Sequence, residues 1–559
     1  MNKRKVLGLA VLAGALLGAA WFPPFTLLIF VALAPLLLIT DELLQVKKPK
    51  ISMFLFSYVA FVVWNAIDTW WTWFASPGGA VMAILANSLL MSLTWLIFFV
   101  LYKRLQASKY KQYAVWLLIP VWLSFEYLHT LWELAWTWLT LGNIFAFTHN
   151  WVQWYEFTGV SGGSLWILIA NILVFTAIKG KIQEGRSREQ EAESQHTAVD
   201  SEQLSAKSRK LKVKRVTIIA GVVIVPVIIS YLLIPSSNLQ VNKSSNPQNV
   251  VVVQPNIDPY NEKFNSSYES QLALVYDLVK NKITAETNYL VLPETFFTEN
   301  VWEDHLEESY SVKFLRDSIL KKYSNLVIIT GATTFYQFKA GEKLSATAHK
   351  YTDASEHYDV YNTALQLDNF GAIQVYHKSK LVPGAERIPY PAVFKPLEQF
   401  AIDLGGTVGS LGVQDERTVL FNKDKSVGVA PVICYESVFG EYVTEYFKQG
   451  ANIIFIITND GWWKDTPGKI QHLNYARLRA IETRAPIARC ANTGISCFIN
   501  ERGDIFEETK WWQPAVISAS LKPNNEKTFY VKFGDVISKI ALVIFALAYF
   551  VITVFVRKG

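Results

Sequence analysis

Eight apolar runs constrain this chain more than any other feature. They fall at about 6–21, 23–40, 52–68, 80–101, 113–131, 161–178, 216–234 and 535–556, each near the ~20 residues a helix needs to cross a bilayer. Lipid offers no partner for backbone N–H and C=O groups, so such runs are expected as helices. The expected organisation is a transmembrane helical domain over 1–234 with about seven spans, a soluble domain over 248–528, and a C-terminal transmembrane helix over 535–556. The first run, after Asn2-Lys3-Arg4-Lys5, also has the form of a signal peptide. A second run follows after only Trp21-Phe22-Pro23-Pro24, so the pair reads as an uncleaved helical hairpin.

Orientation follows from where Lys and Arg sit beside the spans. They cluster at Lys3-Arg4-Lys5, Lys47-Lys48-Pro49-Lys50, Lys103-Arg104 to Lys111, within 179–215, and at Arg557-Lys558. These are alternate connections, which places them in the cytoplasm and places 235–534 outside it. The intervening loops are poor in Lys and Arg and rich in Trp, as suits the outer interface. The 179–215 loop mixes charges without apolar periodicity and reads as a solvated, partly disordered cytoplasmic connection. Residues 235–247 read as a polar linker.

Composition excludes several classes. The net charge is +6 over 559 residues, with no basic patch interleaved with aromatics, so nucleic acid is not an expected partner. The three cysteines, Cys434, Cys490 and Cys497, form no CxxC pair and no zinc-type spacing, so neither a metal nor a cofactor is expected. Cys490 and Cys497 flank a turn at Asn492-Thr493-Gly494 and are either a disulfide or two buried thiols; nothing in the pattern demands a staple.

From Asn249 the pattern changes to short β-rich runs alternating with polar helices. Strands are expected at 249–254, 289–293, 326–331, 362–368, 372–377, 426–433, 452–457, 487–491, 495–500 and 514–519, with helices near 267–282, 438–449 and 470–484. Runs such as Val250–Val253 and Ile453–Ile457 are apolar on both faces, as in strands covered by layers on each side. A layered α/β domain is expected.

Three of these runs end in a charged or nucleophilic residue: NYLVLPE at Glu294, AIQVYHK at Lys378, and VGVAPVICYE at Cys434 and Glu436. Side by side, such strands would make one site. A free Cys is usually a small buried hydrophobe, and a lone Glu or Lys usually solvates a strand end. Together the three allow different chemistry. Lys378 would lower the thiol pKa from ~8.5 and later steady an oxyanion, while Glu294 would take the thiol proton and return it to a leaving group.

Pro293-Glu294, Tyr376-His377-Lys378-Ser379-Lys380-Leu381-Val382-Pro383 with Glu386, and Ile433-Cys434-Tyr435-Glu436 resemble the Glu-Lys-Cys signature of the carbon–nitrogen hydrolase (nitrilase) superfamily. So do Val252–Asn256 and Asn459-Asp460-Gly461-Trp462-Trp463. The polytopic membrane part and final span are similar to its membrane-bound N-acyltransferase branch. The resemblance implies an αββα sandwich and a two-step acyl transfer from a phospholipid, typically phosphatidylethanolamine, to a diacylated apolipoprotein through a Cys434 thioester. It implies Glu294 as base, Lys378 as oxyanion stabiliser, and Glu386, Glu436 and Tyr435 as supporting residues. It also implies a bacterial inner-membrane protein with its catalytic domain on the periplasmic side. A self-contained site of this kind is compatible with a monomer.

One stretch departs from the family: its His-Leu-Val-Pro-Phe-Gly-Glu reads Lys380-Leu381-Val382-Pro383-Gly384-Ala385-Glu386 here. On a strand Lys380 would share a face with Lys378 and could in principle compete for its role, but Lys378 holds the position that matches the family. Among the flanking aromatics, Trp462, Trp463 and Phe296 are candidates to line an acyl groove. Two other readings stay open: a membrane-tethered amidase acting on a small C–N substrate, and a non-catalytic lipid-binding or transport protein.

Overall fold

The computed structural model describes residues 3–75, 77–193, 201–234, 246–263, 265–352, 355–387, 389–390 and 411–556. All eight apolar runs are helical. The N-terminal part contains α1 (Lys3–Ala20), α2 (Ala34–Glu42), α3 (Pro49–Thr69), α4 (Pro77–Gln106), α5 (Leu118–His129), α6 (Tyr155–Glu193) and α7 (Ser201–Leu233), with short 3-10 segments between several of them. By length and composition, six stretches among the described residues can cross a membrane: Phe25–Gln45, Pro49–Phe74, Pro77–Gln106, Tyr155–Gly185, Val213–Leu233 and Val536–Val554. The other two runs give shorter helices. α1 has 18 residues and starts on three basic ones, and the 113–131 run divides into a 3-10 turn, Lys111–Leu117, and the 12-residue α5.

The 179–215 connection is more regular than expected. α6 continues to Glu193 and α7 starts at Ser201, with 194–200 outside the described residues. The stretch is rich in Glu, Gln, Arg, Lys and Ala, which are strong helix formers, so its polarity forbids burial without forbidding helix. Most of the linker expected at 235–247 also lies outside the described residues.

In the second half, β1 (Gln248–Gln254), β2 (Tyr289–Val291), β3 (Phe297–Trp302), β4 (Val327–Gln337), β5 (His349–Lys350), β6 (His357–Leu367) and β7 (Gln374–His377) build one sheet. A second sheet has the order β13-β12-β11-β10-β9-β8, from β8 (Leu420–Phe421), β9 (Gly428–Ile433), β10 (Ile453–Thr458), β11 (Ile487–Ala491), β12 (Cys497–Ile499) and β13 (Ile505–Phe506). β14 (Ala515–Leu521) returns to the first sheet, antiparallel to β1. β9, β10 and β11 run parallel, as do β1, β2 and β4. The six-residue β3, the two-residue strands β5, β8 and β13, and helix α9 (Tyr310–Ser318) were not anticipated.

Alternation along the strands sorts the core into layers. Val250 and Val252 of β1 face the second sheet and share one apolar cluster with Val429, Ile454 and Ile456. Val251 and Val253 face outward, with α8 (Tyr268–Val279) and α9, through Leu272, Val275, Val312 and Leu315. α10 (Gly440–Lys448) and α11 (Pro467–Thr483) cover the second sheet. The result is the expected αββα sandwich.

The sandwich and the helical part are not separated by solvent. One apolar cluster runs from Trp64, Trp71 and Trp138 through α11 into the second sheet. Trp71 and Trp138 each donate an indole N–H to Gln471 of α11, at 3.2 and 2.7 Å. Trp21 donates to Tyr475, whose hydroxyl donates to the Trp138 carbonyl. After the sandwich come α12 (Phe529–Phe533) and α13 (Val536–Val554), which returns to the bundle. Much of the surface of α7 and α13 is apolar, with Leu232 79% and Leu547 60% exposed, as suits helices that face lipid.

α6 turns sharply at Gly159, where φ is +60° and ψ −167°, a combination essentially confined to glycine. A Cβ there would lie 2.3 Å from the ring of Tyr530 in α12. Gly159→Ala is therefore expected to cost on the order of 1–3 kcal/mol from the backbone alone, read as a lower thermal midpoint in detergent. An unchanged midpoint would show that neither the turn nor the Tyr530 contact is required.

Candidate active site

The three strand ends meet, but not as neighbours in one sheet. Glu294 follows β2 and Lys378 follows β7, both in the first sheet with β4 and β6 between them, whereas Cys434 follows β9 in the second sheet. The site forms where the carboxyl ends of strands from both sheets converge.

Lys378 is its centre. Its ammonium is 1% exposed and donates to Glu294 Oε1 at 3.1 Å and Glu386 Oε1 at 2.7 Å. Both carboxylates are buried too, at 7% and 6%. Asn362 on β6 donates to the same two oxygens, at 2.8 and 3.2 Å, and the Val382 amide donates to Glu386 Oε2 at 2.8 Å. Burial alone would push the lysine's pKa down, but the charges of Glu294 and Glu386 outweigh it and hold the ammonium well above its ordinary value.

Cys434 is the half-buried thiol of the three, while Cys490 and Cys497 are buried and unbridged on a β11–β12 hairpin. Burial, aided by the charge of Glu294, pushes the Cys434 thiol up, and Lys378 only partly pulls it back. Lys378 thus acts in the expected direction but is outweighed by burial and by Glu294. The charge of Glu294 acts on this thiol, and a carboxylate so placed can accept a thiol proton.

The backbone that presents the thiol is strained and heavily held. Cys434 has φ +48°, a conformation that costs a non-glycine residue about 1 kcal/mol or more. Its carbonyl accepts from Ser437 Oγ at 2.8 Å and from His472 Nε2 at 3.1 Å. His472 Nδ1 faces Asp460 Oδ1 at 3.0 Å, and Arg489 donates to Asp460 Oδ2 at 2.7 Å. Burial would raise the Asp460 carboxyl, but Arg489 and His472 outweigh it and hold it well below the usual carboxylate range.

Glu436 ties the two sheets together at this point. Its Oε2 accepts from the Ile433 amide at 2.9 Å, and its Oε1 accepts from the Ser379 amide at 2.7 Å and from Tyr376 and Tyr442 hydroxyls at 2.6 and 2.5 Å. Residues flanking Lys378 and Cys434 thus share one carboxylate. Tyr435 points the other way: its hydroxyl donates to Ala135 O at 3.0 Å, and its ring stacks on Trp136 and Trp138 of the helical part.

Other candidates separate. Lys380 does not share a face with Lys378, because β7 ends at His377; its ammonium donates to Thr130 O and lies over the Phe439 ring. Phe296, 3% exposed, packs with Phe297 in the layer beneath α8 and α9 and belongs to that core. Trp463 sits between Trp71, Trp138 and His472, at the seam between helices and sandwich. Trp462 packs edge-on against Tyr260, whose hydroxyl donates to the Trp462 carbonyl. No motif pointed to Asn362 or His472, although Asp460 lay inside a motif already noted.

Asp460→Asn leaves the buried Arg489 guanidinium without its countercharge, which should lower stability at neutral pH by roughly 3–5 kcal/mol. A carboxyl held low in the folded state contributes stability above its unfolded pKa of ~3.9 and loses it as pH falls below that value. The gap between wild type and variant should therefore narrow below about pH 4, read from detergent-solubilised unfolding at several pH values. A gap that stays constant down to strong acid would contradict this account.

A family profile described as carbon-nitrogen hydrolase matches residues 249–529, and one described as apolipoprotein N-acyltransferase N-terminal domain matches residues 13–173. The chain is 28% identical to the apolipoprotein N-acyltransferase of Chlorobaculum tepidum, over 96% of this chain and 94% of that one. It is 25% identical to that of Geobacter metallireducens, over 94% and 91%. Among solved structures, a nitrilase-superfamily protein of Saccharomyces cerevisiae aligns with 50% of this chain and 90% of its own, at 17% identity and a TM-score of 0.34. With half of its length matched by the hydrolase profile and its N-terminal helices by the second, the chain belongs to the carbon-nitrogen hydrolase family.

Proposed function

We propose that this protein transfers a fatty acyl chain from a membrane phospholipid to the N-terminal amino group of diacylglyceryl-cysteine on apolipoproteins, through a thioester on Cys434. The observation that carries this reading is what lies next to the thiol. Tyr435, the next residue, hydrogen-bonds to Ala135 and stacks on Trp136 and Trp138, so the nucleophile lies at the seam with the apolar helices. Substrates anchored in a bilayer would arrive there without leaving it. A soluble amide would need no such setting.

In the first half-reaction, Glu294 takes the Cys434 proton while the sulfur attacks the ester carbonyl carbon of the phospholipid. The oxyanion that forms is stabilised by the Lys378 ammonium. When the C–O bond breaks, Glu294 returns the proton to the departing oxygen, giving a lysophospholipid and an acyl-thioester. In the second half-reaction the lipoprotein amine attacks that thioester, Glu294 accepts a proton from the amine, and the sulfur leaves and is reprotonated. Glu386 and Asn362 keep Lys378 and Glu294 in register, and Glu436 fixes the Cys434 elbow. Splitting the transfer lets one site serve both substrates in turn.

The reading places the sandwich on the periplasmic side of a bacterial inner membrane. The clusters of Lys and Arg on alternate connections support that orientation. Trp462 and Trp463 are proposed to flank the lipid end of the site, on the strength of Trp463 packing at the seam.

The test uses purified full-length protein in detergent, a phospholipid with a labelled acyl chain, and a diacylated lipopeptide. Label should appear on Cys434 as a thioester before any lipopeptide is added and move to the peptide afterwards. Cys434→Ala and Glu294→Gln should each lower transfer by on the order of 10³-fold or more while the protein stays folded. Wild-type transfer by Cys434→Ala would sink the mechanism. Ammonia released from a small amide, with no acyl transfer, would favour a soluble C–N substrate.

A further inference from the structure

The site holds a second buried lysine that no sequence motif indicated. Lys263 lies in the loop after β1 and is 3% exposed. Its ammonium donates to the backbone carbonyl of Glu294 at 3.1 Å and to the Thr295 hydroxyl at 2.5 Å. The loop that carries it is itself held: the Lys263 amide donates to Asp258 O, and Gln271 of α8 donates to Lys263 O. Upstream, Ile257 exchanges hydrogen bonds with the Asn492 side chain.

The turn that Lys263 grips is tight. Thr295 has φ +47°, so the backbone just after Glu294 is in a region that costs a β-branched residue. On its other side the turn presses against Gly331 of β4, where a Cβ would lie 2.4 Å from Thr295 N and 2.7 Å from Glu294 Cα. Glu294 is therefore clamped between a glycine and an ammonium.

Charge balance gives Lys263 a second task. Glu294 faces Lys378 and Glu386 from the segment after β7, the Cys434 thiol from the elbow after β9, Asn362 from β6, and Lys263 from the loop after β1. Two carboxylates and Lys378 alone make a buried cluster of net charge −1, an expensive arrangement in a poorly solvated site. Adding Lys263 brings it to zero. It stays at zero when the thiol proton passes to Glu294, because a thiolate then replaces a carboxylate. Burial pulls Lys263 down to about 8, with the charge of Glu294 working in the opposite direction, so it is still mainly cationic at neutral pH.

We infer that Lys263 is a positioning residue for Glu294: it fixes the turn that aims the carboxylate and supplies the positive charge that lets it act as base toward Cys434. This rests on the assignment of Glu294 as base and not on the identity of the acyl donor or acceptor.

The experiment measures alkylation of Cys434 by iodoacetamide in the full-length protein in detergent, from pH 5 to pH 9, with the adduct located by mass spectrometry and Cys434→Ala as blank. The sulfur displaces iodide and its proton goes to Glu294, so the rate reports the thiol–base pair without any lipid. In Lys263→Met and Lys263→Gln the acidic limb of the rate profile should move up by about one pH unit, with a roughly tenfold slower reaction near neutrality, because the buried thiol–base pair gives up a proton less readily without its cation. Lys263→Arg and Thr295→Val keep the charge and should leave the limb in place. A limb that stays put in both neutral variants would overturn the inference, and so would a shift in Thr295→Val as large as theirs. Lys263→Gln, which keeps a donor, carries the test if Lys263→Met does not fold. A protein that behaves this way yet transfers no acyl chain would refute the proposed function and leave the role of Lys263 standing.

Discussion

An ammonium and two carboxylates taken out of water must find their charge balance and their hydrogen bonds inside the protein, and around Lys378 everything else is arranged to meet that demand. Removing one partner from such a cluster leaves an uncompensated buried charge, a loss of several kcal/mol. Asn362 and the Val382 amide occupy carboxylate lone pairs that Lys378 does not reach. The cluster thereby fixes how the end of β2, the end of β7 and the loop to Glu386 sit against one another. Cys434 comes to this cluster from the other sheet, and the burial that pushes its thiol up favours the neutral form there.

The support of the Cys434 turn is separate and equally buried. Asp460, Arg489 and His472 hold the Cys434 carbonyl from behind, and Glu436 holds the following turn from the side. Two polar networks, one per sheet, meet across the thiol. Glu436 joins them, since its Oε1 accepts from Ser379 just beyond Lys378 while its Oε2 accepts from Ile433 just before Cys434.

Much of this architecture was legible from residues alone, for physical reasons that also mark where legibility ended. Strands such as Val250–Val253 and Ile453–Ile457 are apolar on both faces and announce a covered sheet, and all strands were anticipated except β3, whose run Phe297–Trp302 is interrupted by polar residues, and three two-residue pairings. β5, β8 and β13 are two-residue pairings set by their neighbours, and no local pattern encodes them. Lys378, Glu294 and Cys434 stood out because each ends an apolar run. Lys263, Asn362 and His472 do not: Lys263 lies in a polar loop, Asn362 inside a strand, and His472 on a helix whose polar residues look solvent-facing. Lys380 was misplaced because strand alternation was carried past His377, where the strand stops. The 179–215 segment was misjudged because lack of an apolar stripe says where a helix can sit, not whether it forms.

Helix α11 carries the least expected consequence. Lys469, Gln471, His472, Asn474, Arg479 and Glu482 are all buried on it, with Gln471 serving the helical part and His472 and Arg479 serving the Cys434 turn. A helix so polar cannot lie in lipid, and one so enclosed is not finished in water. It is completed only when tryptophans from the first 140 residues close over it. The order of synthesis supplies those tryptophans before α11 emerges. An excised sandwich would lack one wall of its own core.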